Sequence, residues 1–192
     1  MTQLSTPSNL FDFFHQQVET ASSELIVELS GDTRLYLASL LTERARSDRD
    51  RPSAATLAEL HAKAIGAPPV EQARTYRELG DRALYAVGYF EESLNRKLVG
   101  RAYYEDMGSA AYNRVDALFK RLFSDAFGPV FGELAGRFTD CVGLLSSIRA
   151  TGHASDAIMR LYEEWLATGD EEIADRLRER GLVVRRGRII EA

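Results

Sequence analysis

One cysteine and three histidines in 192 residues leave little material for metal or thiol chemistry. A lone Cys141 cannot close an internal disulfide and gives no zinc-finger spacing. Its place on an apolar helical register reads as core. His15, His61 and His153 form no His-Glu-x-x-His pair. A di-iron bundle needs paired Glu-x-x-His units; the nearest pattern, Asp12 with His15, has no second copy. Gly-x-Ser-x-Gly, the phosphate-binding loop and the dinucleotide fingerprint are all missing from the chain. Apolar runs fall well short of the roughly 20 residues that cross a bilayer, and Met1 to Leu10 lacks the basic-then-apolar pattern of a secretory signal. No catalytic residue, metal ligand, cofactor or membrane contact is therefore expected. With so little cysteine, a cytoplasmic location is expected.

What is present is ordinary globular material, 45% hydrophobic and 28% charged, enough for one domain with a substantial core. The net charge of −5 argues against a general nucleic-acid partner, but it is unevenly spread. Arg176 to Ala192 carries six arginines against two glutamates, a net +4, so the rest of the chain carries −9. An acidic body with a basic end can dock on itself, on another copy or on an acidic partner.

Helical punctuation recurs and strand alternation is almost missing. Leu10, Phe14, Val18, Ala21, Leu25 and Leu29 share one face of a first helix that Ser30-Gly31-Asp32 ends. A second helix over about 33–46 turns Leu37, Leu40 and Leu41 inward. The mixed-charge run from Ser47 to Pro52 reads as a solvated loop. Ser53 is placed to cap a short helix with Leu57, Leu60, Ala64 and Ile65 inward, stopped by Gly66. Pro68-Pro69 opens a long helix with Ala73, Tyr76, Gly80, Ala83, Val87, Phe90, Leu94 and Leu98 inward, bent near Gly88. The next helix, about 101–123, carries Tyr104, Gly108, Ala111, Val115, Leu118 and Leu122 on its core side.

Ser124 or Asp125 then caps a single long helix reaching Gly152, with Phe127, Phe131, Leu134, Phe138, Cys141, Leu145 and Ile148 in steps of four and three. Gly128, Gly132, Gly136 and Gly143 flank that stripe and predict either close helix packing or room for a flat ligand. Two more helical patterns follow, one from Ser155 with Ile158, Leu161, Tyr162, Trp165 and Leu166, the other with Ile173, Ala174 and Leu177. Beyond Gly181, Leu182 to Ala192 reads as a basic hairpin or an extended tail. A helix followed by a basic hairpin resembles the wing of a winged-helix protein, without its compact three-helix reader. The expectation is an all-α fold, an irregular bundle of six to eight helices spanning 1–181, with 182–192 as a tail.

Six of the eight tyrosines lie between Tyr76 and Tyr112, together with Gly80, Gly88, Gly100 and Gly108. Tyrosine brings an apolar body with a hydroxyl that needs a partner when buried, and helix-interior glycine costs about 1 kcal/mol against alanine. The segment is either a tightly packed helix pair or the wall of a pocket. If a pocket, its candidate ligand-binding residues are Tyr76, Asp81, Tyr85, Glu92, Arg96, Tyr104 and Tyr112. If not, Asp81 is a solvated charge on the helix surface.

Two short stretches resemble heme oxygenases. His15-Gln16-Gln17-Val18-Glu19 is similar to their proximal His-x-x-x-Glu spacing, and Leu79-Gly80-Asp81 to the start of their distal helix motif. The resemblance implies a helical fold in which His15 would hold a heme under a glycine-bearing helix. Arg82-Ala83-Leu84-Tyr85 stands where that family has paired glycines, and the separation from His15 is shorter than in that family. The stretch from Tyr76 to Leu94 resembles uncharacterised all-helical bacterial proteins, which implies a helical fold and no activity. The reading that follows is a non-catalytic protein acting through self-association, as a homodimer, or through a protein partner. The alternative is a bundle that binds a small molecule or cofactor, heme or another ligand, with an enzyme among the forms that reading allows.

Overall fold

The computed structural model describes residues 10–47, 55–94, 100–123, 129–151 and 161–179, except 163, 166 and 167. Eight helices are delimited there and no strand is formed among the described residues. They are α1 (Leu10–Glu24), α2 (Gly31–Ser47), α3 (Leu57–Ala64), α4 (Pro69–Leu94), α5 (Arg101–Phe123), α6 (Val130–Gly136), α7 (Phe138–Thr151) and α8 (Glu171–Glu179). The fold is all-α, as the periodicity predicts. None of these helices is long and apolar enough to cross a membrane.

The centre of the molecule is the α4–α5 pair, on which α3, α6 and α7 pack, while α1 and α2 pair with each other and reach α7 and α6. α4 and α5 run antiparallel: Gly80 faces Tyr112 while Ala83, further along α4, faces Gly108, further back on α5. Glycine sets how close these helices come. A Cβ on Gly108 would lie 2.4 Å from Phe138 Cζ and 2.9 Å from Ala83 Cβ, and one on Gly88 would lie 2.6 Å from Leu145 Cβ. No side chain fits at such distances without displacing a neighbour. Ser146 Oγ donates to the Gly88 carbonyl at 3.1 Å, so α7 grips α4 where that backbone is bare.

Several boundaries differ from the sequence reading. α1 ends at Glu24, so Leu25, expected inward, is 44% exposed and Leu29 is buried from the connection instead of the helix, while Ile26 between them is 85% exposed. The stop is a hydrogen-bonded reversal: Val27 N donates to Ser22 O and Ile26 N to Ser23 O, with Ile26 at φ 55. This is the Schellman pattern, whose left-handed position normally holds glycine or asparagine. At α3 the cap is Thr56 instead of Ser53, because Thr56 has Glu59 three residues on and the two close a reciprocal capping box. Ile65, expected inward, turns out to solvent in an extended conformation, and Gly66 stops the chain at φ 81. Leu122, expected in the core, is 38% exposed.

The single helix expected between 124 and 152 is two, broken at Arg137. Arg137 leaves helical geometry at φ −116 and ψ 31; its N–H closes α6 on the Glu133 carbonyl, and its own carbonyl accepts from Cys141. Only one residue departs, so the stripe of Leu134, Phe138, Cys141, Leu145 and Ile148 stays buried through the break. Of the flanking glycines, Gly132 is closely covered, since a Cβ there would press on the Asp116 carboxylate at 3.2 Å, whereas Gly136 and Gly143 border open space and do not form the close-packed face expected of them. The expected features at 124–128, 152–160 and 180–192 lie outside the described residues.

Candidate functional site

Asp81 is the one carboxylate buried in the core among the described residues, with 6% of its surface exposed. It stands on α4 at the meeting of three helices. Tyr36 of α2 donates its hydroxyl to Asp81 Oδ1 at 2.6 Å, and Tyr112 of α5 donates to the same oxygen at 2.8 Å. Arg77, one turn earlier on α4, places Nε 3.6 Å from Asp81 Oδ2 and donates to the Tyr36 hydroxyl at 3.1 Å. Its guanidinium lies over the Tyr36 ring, 5.4 Å from the centroid.

The residue before Asp81 makes this possible. A Cβ on Gly80 would lie 2.7 Å from the Tyr112 ring, so the ring lies flat against bare backbone while its hydroxyl reaches the neighbouring carboxylate. Gly80 and Asp81 together form the seat for one tyrosine. Phe131 packs edge-on to Tyr36, with centroids 5.4 Å apart, and is tilted against Tyr112 at 6.0 Å. These rings close the apolar side of the node.

Burial pushes the Asp81 carboxyl above its ordinary range; hydrogen bonds from Tyr36 and Tyr112 and the charges of Arg77 and Arg44 pull it back only in part. Burial, reinforced by the adjacent Asp81 charge, raises both tyrosine hydroxyls, which therefore stay protonated donors at neutral pH. Above the node lies an open cleft of about 410 Å³, lined by Glu43 and Arg44 of α2 and by Arg74, Arg77, Glu78 and Asp81 of α4.

Of the seven residues expected to line a pocket, the structure joins Asp81 and Tyr112. Asp81 is not the solvated charge of the other reading. Tyr76 is buried beside His61, with ring centroids 5.8 Å apart. Tyr85 stacks on Tyr89 at 4.8 Å beneath the Arg44 guanidinium, and Tyr104 meets Tyr103 edge-on at 5.7 Å. The Glu92 side chain and Arg96 lie outside the described residues. Sequence reasoning missed Tyr36, Arg44 and Arg77. Arg77 carried a signal, since it stands four residues before Asp81 and thus on the same helix face. Tyr36 carried none, being placed by α2 across a tertiary contact.

A second carboxylate, Glu133 of α6, also works between helices. It accepts from Ser30 N at 2.9 Å, from Ser30 Oγ at 2.6 Å and from the Thr33 hydroxyl, at the start of α2. Burial pushes this carboxyl up, but those hydrogen bonds more than offset it and leave it below its ordinary range. The Cys141 thiol is pushed up by burial to about 12, so it is a neutral packing group.

The space that Gly80 opens is filled by Tyr112, and His15 stacks on Phe11 at 6.0 Å with Nε2 3.4 Å from Glu19. Compared with family profiles, curated proteins and solved structures, the chain finds no match.

Proposed function

We propose that this chain is a non-catalytic, cytoplasmic helical protein that acts by association with a second copy of itself. The observation that carries the reading is Ile26. A β-branched residue in the left-handed region costs stability, and that position normally holds glycine or asparagine. At 85% exposure Ile26 gains no compensating burial within its own chain, and Leu25 beside it is 44% exposed. Local strain retained on a protruding apolar residue is accounted for by a partner that covers it.

Two further features support the reading. The groups best able to do chemistry are committed to structure: Asp81 to two tyrosines, Glu133 to the start of α2, and Cys141 to the core. A +4 end on a −9 remainder gives two copies a reason to attract. The cytoplasmic location rests on a single cysteine, buried and unpaired.

Sedimentation velocity over a concentration series tests this. The wild type should dimerise and Ile26→Asn should remain monomeric, with thermal stability equal or higher. Deleting residues 182–192 should weaken pairing at low salt and matter less at high salt. A wild type that stays monomeric at hundreds of micromolar, or an Ile26→Asn variant that dimerises unchanged, defeats the reading.

A further inference from the structure

The cleft between α2 and α4 holds more positive charge than its residue inventory suggests. Three arginines and three carboxylates line it. Glu78 is paired with Arg82, outside the lining, and Asp81 has one oxygen tied to two tyrosine hydroxyls and the other beside Arg77. Arg44 and Arg74 have no carboxylate within ion-pair distance among the described residues. With Glu78 neutralised by Arg82, three guanidiniums face two carboxylates, Glu43 and Asp81.

Two of those guanidiniums are held in place by aromatic rings. Arg44 lies over Tyr85, 5.8 Å from the centroid, and Arg77 over Tyr36 at 5.4 Å. A ring over one face of a guanidinium leaves its edge nitrogens to donate in plane, the geometry that oxyanions accept; in Arg77 the Nε is already given to the Tyr36 hydroxyl, which leaves its terminal nitrogens for that role. Orientation fixed before binding lowers the ordering cost of capture.

From this arrangement we propose that the α2–α4 cleft is a binding site for a small oxyanion, the phosphate or carboxylate group of a low-molecular-weight ligand. Arg44 and Arg74 grip the oxyanion from opposite helices. Arg77, anchored by Tyr36 and Asp81, supplies the fixed positive floor. The site is separate from the Ile26 turn, so it can hold whether or not the chain dimerises.

The test titrates the full chain with inorganic phosphate and, separately, with acetate, against chloride at matched ionic strength, following amide chemical shifts and melting temperature. Phosphate, acetate or both should shift α2 and α4 amides saturably and raise the melting temperature, and the stronger of the two names the group recognised. Arg74→Gln, at an exposed position, should fold normally and weaken binding at least tenfold. Arg44→Gln with Arg74→Gln should abolish it. The proposal is overturned if neither anion shifts the spectrum beyond chloride, or if Arg74→Gln binds like the wild type. It is also overturned if the saturable shifts fall elsewhere on the chain.

Discussion

Asp81 carries a carboxyl where burial disfavours the charged form, and the sign of its pH dependence follows. Its folded-state carboxyl titrates above the unfolded one, so the folded chain binds the proton more tightly. Its contribution is therefore favourable at acid pH and is lost as pH rises from the ordinary value of 3.8 through the raised one. Asp81→Asn keeps an acceptor for both tyrosines and removes the charge. Relative to wild type, it should gain stability as pH rises above the ordinary 3.8, as read by urea melts; a relative loss on that rise would reverse the assignment. Asp81→Ala should instead cost about 2–4 kcal/mol, because two hydroxyls lose their shared acceptor. At the α1 stop, Ile26→Gly should stabilise the chain by about 1 kcal/mol, since relief of left-handed strain exceeds the added freedom of the unfolded glycine. Calorimetry on the monomer checks the sign.

The helices obey two kinds of glycine. Gly108 stands where α5 meets Phe138 of α7 and Ala83 of α4, whereas Gly143 on α7 borders open space. Gly108→Ala should destabilise by about 1–3 kcal/mol through overpacking. Gly143→Ala should stabilise by about 0.5–1 kcal/mol, the ordinary gain in helix propensity. Equal shifts in melting temperature would mean that the α4–α5–α7 contact is not close-packed. The same logic explains the tyrosine-rich segment: its glycines at 80, 88 and 108 admit Tyr112, Leu145 and Phe138 in turn. It is packing built around one buried carboxylate.

Across the whole molecule, α2 is fastened to the rest by two carboxylates of opposite pH behaviour. Glu133, held below its ordinary range, contributes stability that is present above 4.5 and lost as pH falls through its folded value. Glu133→Ala should cost about 1–3 kcal/mol at neutral pH, with the deficit shrinking on acidification. Hydrogen exchange should locate the loosening at the start of α2, at Ser30 to Arg34. Exchange that quickens uniformly over all helices would mean that Glu133 is not a local fastener.

Composition and period by themselves determined the all-α class, the inward face of α2, the inward face of α4 from Ala73 to Val87, that of α5 from Gly108 to Leu118, and the limits of α5, because 3.6-residue periodicity and proline or glycine punctuation are local properties of the chain. They also drew attention to Asp81 and Tyr112 through the density of tyrosine and glycine around them. Tertiary structure alone decided that Asp81 is buried, that Tyr36 rather than Tyr85 joins Tyr112 on its carboxylate, and that the arginines of α2 and α4 face one cleft. It also broke the long helix at Arg137 and ended α1 at Glu24, before the left-handed Ile26, although the apolar spacing continues through Leu25 and Leu29. A residue's helix face follows from its own sequence neighbours. Its partner across the bundle depends on how separate helices are set against one another, and no local pattern encodes that.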